Sequence, residues 1–196
     1  EREAEHISSV NTDNYMGALQ ATSLLIRDKC DILIHINVNV NKSAPAYDRI
    51  WAFQATCEEY HVPYDIDLSV KGASYHELLD VIREIFNKIE SKYPDQKKGI
   101  FLANDTYANM FLNLIFQKYG TFPSTYEIVG FDNSPIASKA ILPITTIGQQ
   151  IDVIAKTAMD LLVQQMEEQK KRVPKPLGEP IHKQITPILI RRNTTE

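Results

Sequence analysis

Short polar side chains follow three apolar segments of the sequence, each at the point where the segment ends. They are Asn39 and Asn41 at the end of DILIHINVNV, Asn104 and Asp105 after GIFLA, and Asp132 and Asn133 after YEIVGF. Carboxylates accept hydrogen bonds from neighbouring hydroxyl groups, and amides both donate and accept them. If the three segments are strands of one sheet, these side chains share an edge that suits a small polyhydroxylated ligand such as a sugar.

The same residues have two alternative roles. Asn and Asp are common helix caps, and because Asp105 directly opens the helical segment DTYANMFLNLIF, capping is the stronger expectation for it. Asn104 and Asp132 are the better candidates for contacts with a ligand. Asp105 and Asp132 could also form the acid and base pair of a glycosidase, an alternative that we rank well below ligand binding.

Composition and spacing exclude several other kinds of site. The 196 residues include seven glycines, none spaced as GxGxxG or GxxxxGK[ST], so a loop that cradles phosphate is not expected. The formal net charge of −4 provides no basic surface for nucleic acid. Cys30, Cys57 and the five histidines lack metal-ligand spacing, so we expect neither a metal site nor a cofactor. No apolar stretch approaches the ~20 residues of a membrane helix.

β-branched apolar runs alternate with segments of helical period, which is the pattern of βα units around a parallel sheet. The sequence predicts strands at residues 31–40, 63–70, 99–103, 126–131 and 181–190. It predicts helices at residues 15–28, 47–60, 75–92, 106–119 and 151–169, with a proline-rich linker at 170–180. Ligands of open parallel sheets bind beyond the carboxyl ends of the strands, which is where the polar side chains are expected.

Several segments resemble one family of regulators. Residues 123–150, PSTYEIVGFDNSPIASKAILPITTIGQQ, and the closing ITPILIRRNTT resemble the C-terminal half of the effector-binding domain of the lactose/galactose repressor (LacI/GalR) family. TDNYMGALQATSLLI resembles the family's DNxxG helix, DRIWAFQATCEE its RxxGF helix, and GIFLANDTYANMFLNLIFQKYG its strand and helix joined by a polar pair. VGFDN followed by LPxTTIxQ is specific as a combination. The sequence departs from the family at Ala52, where glycine is usual, and at residues 28–30, where a Gly-His pair is common.

The resemblance implies the α/β fold of class I periplasmic binding proteins, in which two parallel-sheet lobes, each with three layers, close on a small molecule. This chain is expected to hold mostly the C-terminal lobe. The expected division is 1–29 for the end of the N-terminal lobe, 30–147 for the C-terminal lobe, 148–175 for a crossover helix on the N-terminal lobe and 176–196 for a returning strand. The helices at Tyr15 and Ile151 would belong to the N-terminal lobe and leave apolar faces uncovered, because the opening strands of that lobe are absent from the sequence. The chain is expected to cross between the lobes at Ile144-Thr145-Thr146.

The resemblance also implies functional residues. The sugar contacts of the family fall on Arg49, Asn104, Asp132 and Gln149, with Asp105 beside them, and its dimer contacts fall near Asn109, Leu112, Ile141 and Leu142. Arg49 would donate to sugar oxygens and Asp132 would accept from vicinal hydroxyl groups. The alternatives are a surface ion pair for Arg49, with Asp48 or Glu58, and core packing for the apolar dimer residues.

By the same resemblance, the chain is not an enzyme but the sugar-sensing part of a dimeric, cytoplasmic transcriptional repressor. The carbohydrate effector would bind between the lobes and change the binding of operator DNA by a separate head domain that this sequence lacks. No membrane contact is expected. A periplasmic sugar-binding protein of a transport system would have the same fold and stays the alternative.

Overall fold

A computed structural model describes residues 7–38, 45–72, 74–170 and 178–196. Within these residues the strands are β1 (Ser9–Thr12), β2 (Ile32–Val38), β3 (Tyr64–Val70), β4 (Lys98–Leu102), β5 (Tyr126–Asp132), β6 (Thr145–Gly148), β7 (His182–Ile185) and β8 (Ile188–Ile190). The helices are α1 (Asn14–Arg27), α2 (Pro45–Glu59), α3 (Tyr75–Lys92), α4 (Asp105–Tyr119), α5 (Pro135–Lys139) and α6 (Ile151–Gln169). Each helix predicted from the sequence is confirmed to within two residues at both ends.

Six strands form one sheet, the large sheet, in the order β3-β2-β4-β5-β6-β8. Neighbouring strands are parallel except for β6 and β8, which are antiparallel. β2 is buried along nearly its whole length, as expected for a parallel strand with helices on both faces. Leu25 of α1 and Phe53 of α2 lie in one core, and Ile82 of α3 and Phe111 of α4 lie in another. The α/β architecture predicted from the sequence is therefore confirmed.

Helix α1 packs on the large sheet, which corrects the expectation that the Tyr15 helix leaves its apolar face uncovered. Ala18, Ala21 and Leu25 are fully buried in the core that α1 shares with α2 and the sheet. A Cβ atom at Gly17 would lie 2.9 Å from the Phe131 ring, so α1 can approach the sheet this closely only with glycine at that position. The expectation was wrong because the Tyr15 helix finds its apolar partners within this chain.

A second, smaller sheet consists of β1 and β7, which pair in parallel, and α6 packs against it. No residue of α6 is fully buried. Six of its large apolar side chains are 42 to 60% exposed, namely Ile151, Val153, Met159, Leu162, Val163 and Met166, whereas Ile154 and Leu161 are half-buried. The Ile151 helix therefore leaves an apolar face uncovered, as the sequence predicts.

The predicted strand at residues 181–190 is in fact two strands in two sheets. β7 ends at Ile185, and Pro187 separates it from β8 because proline has no N–H to donate to a ladder. β1 and β6 were not predicted. Each has only four residues, too few to show a periodic pattern.

Three crossing segments connect the small sheet with the large sheet, namely residues 12–14, 148–151 and 185–188. Hydrogen bonds join them: Thr12 Oγ1 donates to Gln149 Oε1 at 2.6 Å, and Gln150 Nε2 donates to the Thr186 carbonyl at 2.7 Å. The crossing expected at Ile144-Thr145-Thr146 is therefore placed too early, because these residues are buried within and beside β6 of the large sheet.

A buried carboxylate lies at the opposite, amino-terminal edge of the large sheet. Glu127 in β5 is 2% exposed, and Lys97 Nζ lies 2.8 Å from its Oε1. Burial, reinforced by the negative charge of Asp28, raises the pKa of Glu127 from its ordinary 4.5 to about 7 despite the neighbouring lysine. The ionised form of Glu127 is therefore destabilising in the folded protein.

We expect the substitution Glu127→Gln to make the protein more stable at pH 8 and to reduce the pH dependence of its stability. Because folding raises the pKa of Glu127, its stabilising contribution is present below pH 4.5 and is lost as the pH rises from 4.5 to about 7. Urea unfolding of both proteins across this range measures the effect. The same loss of stability with rising pH in the variant would contradict this role for Glu127.

Candidate functional site

Four of the residues implied as sugar contacts meet at the carboxyl edge of the large sheet, and we call them the polar rim. They are Arg49, Asn104, Asp132 and Gln149. Asn104 follows β4, Asp132 ends β5, Gln149 follows β6, and Arg49 comes from the first turns of α2. Parallel neighbours end at the same edge of a sheet, so residues far apart in sequence become close in space.

Asp132 and Gln149 are in direct contact. The exposed Asp132 carboxylate accepts a hydrogen bond through Oδ1 from Gln149 Nε2 at 2.7 Å. The backbone is strained at this point, because φ is 103° at Asp132 and 52° at Asn133. Asn133 is held on both sides: its Oδ1 accepts from Arg192 Nη2 at 2.7 Å, and its N–H donates to Thr146 Oγ1 at 3.3 Å. The surrounding contacts thus fix the direction of the Asp132 side chain.

Arg49 is connected to the same edge by two contacts. Its Nη1 donates to the Ala103 carbonyl at 2.7 Å, next to Asn104. Its guanidinium carbon lies 4.1 Å from the centre of the Phe131 ring, next to Asp132. A guanidinium that stacks on an aromatic face is held in orientation without losing its charge.

A buried polar pair in β2 supports the start of α2. His35 Nδ1 donates to the Phe101 carbonyl at 2.9 Å, and His35 Nε2 accepts from Asn37 Nδ2 at 3.1 Å. Burial lowers the pKa of His35 to about 3, so the ring is neutral near pH 7 and can both donate and accept. Asn37 Nδ2 also donates to the Ala46 carbonyl, in the first turn of α2, at 3.4 Å. The pair therefore helps to position the helix that carries Arg49.

The helix cap at this edge is Asn104 and not Asp105, contrary to the stronger expectation from the sequence. Asn104 Oδ1 accepts from the Tyr107 N–H at 2.9 Å. Asp105 is 1% exposed, and its two oxygens accept from Thr146 Oγ1 and from the Ser134 N–H, each at 2.6 Å. Burial raises the pKa of Asp105 above its ordinary value. Its burial contradicts a direct ligand contact and also the role of a glycosidase acid or base, so Asp105 instead ties α4 to β6 and to the loop after β5.

The four residues expected at a dimer contact differ in exposure. Ile141 is 65% exposed, whereas Asn109 and Leu142 are half-buried. Leu112 is fully buried in the core beneath α4 and has no surface for a partner chain. Core packing, the alternative from the sequence, is therefore correct for Leu112.

Three residues of the site were not indicated by the sequence: Thr12, Thr146 and Arg192. Each donates a hydrogen bond to a polar residue at the carboxyl edge, and each lies far from its acceptor in sequence. All three lie in segments that resemble the family, but those segments do not show these contacts, because the contacts depend on which strands are neighbours. Asn39 and Asn41, and most of the predicted linker at 170–180, lie outside the described residues.

The chemistry of the polar rim is that of hydrogen bonds, since it offers a carboxylate, two primary amides and a guanidinium. In the described part of the chain, no group of three or more His, Cys, Asp or Glu side chains is placed to hold a metal ion. Nor does any helix among those residues have the length and apolar character needed to cross a membrane.

The sequence matches a known domain and several curated proteins. Residues 24–195 match the periplasmic binding protein-like domain. The ribose operon repressor of Halalkalibacterium halodurans is 27% identical over 190 residues, which cover 97% of this chain and 53% of the repressor. The sucrose operon repressor of Streptococcus mutans is 26% identical over 169 residues, which cover 85% of this chain and 49% of that repressor. The chain thus spans about half the length of these curated relatives.

Solved structures share the fold. A LacI family transcriptional regulator from Arthrobacter, in complex with lactose, has a TM-score of 0.80 at 19% identity over 100% of this chain and 68% of that one. A LacI family regulator from Enterococcus faecium with bound ribose has a TM-score of 0.76 at 20% identity, with the same coverage. The α/β periplasmic-binding-protein-like fold expected from the sequence is confirmed by these likenesses and by the domain match across most of the chain. This chain therefore belongs to the periplasmic binding protein-like domain family.

Proposed function

We propose that this chain is the sugar-sensing domain of a LacI-type transcriptional regulator. The observation that carries the proposal is the assembly of Arg49, Asn104, Asp132 and Gln149 at one edge of the large sheet. Curated relatives are repressors of ribose and sucrose operons, and similar regulators hold lactose, ribose or cellobiose. These relatives favour a regulator over an enzyme or a transport protein.

The polar rim matches the groups that a sugar presents. An ionised carboxylate at Asp132 accepts from two adjacent hydroxyl groups, and the Arg49 guanidinium donates to a ring or hydroxyl oxygen. Asn104 uses its side-chain oxygen to cap α4, so its ligand contact would come from the amide nitrogen. Gln149, which in the sugar-free protein is bonded to Asp132, would fix the orientation of the sugar.

The small sheet and α6 are proposed to belong to a second lobe that is completed by further strands of the same polypeptide. The uncovered apolar face of α6 and the half-length match to the relatives support this. The boundaries remain those expected from the sequence, except that α1 packs with the C-terminal lobe. The complete regulator would act in the cytoplasm and bind operator DNA through a separate domain, and it would dimerise near Ile141 and Leu142.

We expect the isolated chain to bind an apolar dye such as ANS through α6. Replacing Leu162 and Met166 together with glutamine should remove much of that fluorescence, because both side chains are about half exposed on the uncovered face. The free energy of unfolding should change by less than about 0.5 kcal/mol, as for most surface substitutions. Gln164→Ala, an exposed polar position on the same helix, is the control. Absence of dye binding by the unmodified chain would contradict an uncovered apolar face.

A sugar panel tests the proposed function. Ribose, sucrose, lactose, cellobiose and maltose are added separately to the complete protein, and the thermal midpoint is recorded. A sugar present at about 100 times its Kd should stabilise the folded state by about 2.7 kcal/mol. The same sugar should change the affinity of the complete protein for its operator. A sugar that binds without any effect on operator affinity would overturn the regulatory role, and a panel with no binding would overturn sugar sensing.

A further inference from the structure

Gln149 stands between the polar rim and the small sheet, and both ends of its amide are engaged. Its Nε2 donates to Asp132 Oδ1 at 2.7 Å, and its Oε1 accepts from Thr12 Oγ1 at 2.6 Å. Thr12 is the last residue of β1 and is 2% exposed. We propose that Thr12 is a positioning residue that couples the occupancy of Asp132 to the small sheet through Gln149. The link to a sugar rests on the proposed function, whereas the link between Asp132 and Thr12 rests on the contacts alone.

The coupling follows from the rigidity of a primary amide. The nitrogen and oxygen of Gln149 belong to one planar group, so the amide cannot turn away from Asp132 and keep the same geometry towards Thr12. A sugar hydroxyl that donates to Asp132 forms a charge-assisted hydrogen bond and competes with Gln149 for Oδ1. When the Gln149 amide is displaced, Thr12 loses its acceptor in a place that water reaches poorly.

Thr12 lies where the loss of its hydrogen-bond acceptor would affect how the small sheet is held against the large sheet. The next residue, Asp13, donates its N–H to the Ile185 carbonyl at 2.9 Å, which joins the end of β1 to the end of β7. The Asp13 side chain caps α1 by accepting from the Met16 N–H at 2.9 Å. Asn14 Nδ2 donates to the Thr12 carbonyl at 3.1 Å. A shift at Thr12 is therefore transmitted to both the small sheet and the first turn of α1.

The other crossing segments are reached by the same displacement. Gln150, adjacent to Gln149, donates to the Thr186 carbonyl in the third crossing segment. Gln20 of α1 donates to the carbonyl of Pro187 at 3.2 Å. Thr12 and Gln149 thus lie in two of the three crossing segments, and Gln150, the residue after Gln149, is hydrogen-bonded to the third. A change at one carboxylate of the polar rim can in this way alter how the two sheets are held together.

Hydrogen exchange in the complete, sugar-free protein tests the coupling. Thr12→Val removes the hydroxyl and keeps the shape, and Gln149→Ala removes the intermediary. Each should speed exchange of the Asp13 amide about 2- to 10-fold, the equivalent of one hydrogen bond, while amides of β4 stay unchanged. Thr22→Val is the matched control, because the Thr22 hydroxyl is equally buried but donates to Ala18 within α1. An unchanged Asp13 amide in both variants would overturn the proposal.

A double-mutant cycle tests whether Asp132 and Thr12 are linked. Asp132→Ala should also speed exchange of the Asp13 amide, because Asp132 is hydrogen-bonded to Gln149, which accepts from Thr12 at the end of β1. In the double variant Asp132→Ala/Thr12→Val, the increase in the exchange rate of the Asp13 amide should be smaller than the product of the two single increases, because both substitutions act through Gln149. In a Gln149→Ala background the two substitutions should become independent. Independent effects already in the presence of Gln149 would overturn the coupling.

The sugar panel separates failure of the coupling from failure of the proposed function. A sugar that binds in the panel should change the hydrogen-exchange rate of the Asp13 amide in the original protein. It should still bind the Thr12→Val variant, but the response at Asp13 should be lost. If no sugar in the panel binds while the cycle is non-additive, sugar sensing is wrong and the coupling stands. If a sugar binds and the Asp13 amide responds equally in Thr12→Val, the coupling is wrong and sugar sensing stands.

Discussion

Replacing Asp132 with alanine is expected to weaken sugar binding about 100-fold or more while leaving the protein folded. Each hydrogen bond from a sugar hydroxyl to an ionised carboxylate contributes about 1.5–3 kcal/mol, and two such bonds are lost together. The side chain is exposed and its one described partner is Gln149, so its removal should change folding little. Asp132→Asn, which keeps the shape without the charge, should show a smaller loss. Calorimetry with a sugar that binds in the panel measures the affinity of both variants.

Arg49→Ala is an independent test of the same site. It removes a donor that stacks on Phe131 and is bonded to Ala103, so a modest loss of stability is expected beside the loss of affinity. Asp80→Asn is the control, since Asp80 is an exposed carboxylate on α3 that is paired only with the neighbouring Arg83 among its described contacts. Unchanged sugar affinity in both Asp132→Ala and Arg49→Ala would refute the assignment of the polar rim.

Gly130→Ala should destabilise the folded protein by about 2–4 kcal/mol, the combined cost of overpacking and of disturbing a buried hydrogen bond. A Cβ atom at this position would overlap with Asp105 Oδ1, the oxygen that accepts from Thr146. Asp105 cannot move aside easily, because its other oxygen is bonded to the Ser134 N–H. The substitution should also reduce sugar affinity, since Asp105 holds the loop that directly follows Asp132.

The matched control for this substitution is Gly178→Ala. A Cβ atom at Gly178 would meet no atom of the described residues within 4 Å, so this variant should unfold at the same urea concentration as the original protein. Gly130→Ala should unfold at a clearly lower concentration. Equal midpoints for the two variants would show that Asp105 is not held as tightly as its hydrogen bonds indicate.

Local patterns in the sequence were enough to predict the helices and most strands of the large sheet. α3 and α6 begin and end at the predicted residues, because capping residues, apolar spacing and flanking prolines are local signals. β1 and β6 escaped prediction because four residues carry too little pattern. The segment at 181–190 was taken as one strand because its break depends on a crossing between sheets, which a local pattern does not show.

Local patterns in the sequence were likewise enough to predict only part of the candidate site. Asn104 and Asp132 were found by their position after apolar strands, and the resemblance added Arg49 and Gln149. The resemblance also included Asp105, which the structure removes from the surface. The position of Asp105 in the sequence places its carboxylate near the carboxyl edge of the large sheet. Only its hydrogen bonds to Thr146 and Ser134 show that it is buried and holds α4 against β6 and the loop after β5.

The sequence by itself determined the α/β class, the family and the side chains at the carboxyl edge of the large sheet, because these depend on local periodicity and on short motifs. The tertiary structure alone decided which of those side chains face outward, that α1 packs on the large sheet, and that Gln149 joins Asp132 to Thr12. The physical reason is that Thr12 and Gln149 are 137 positions apart in the chain. Contacts over that distance are set by strand order and packing, which no local pattern of residues encodes.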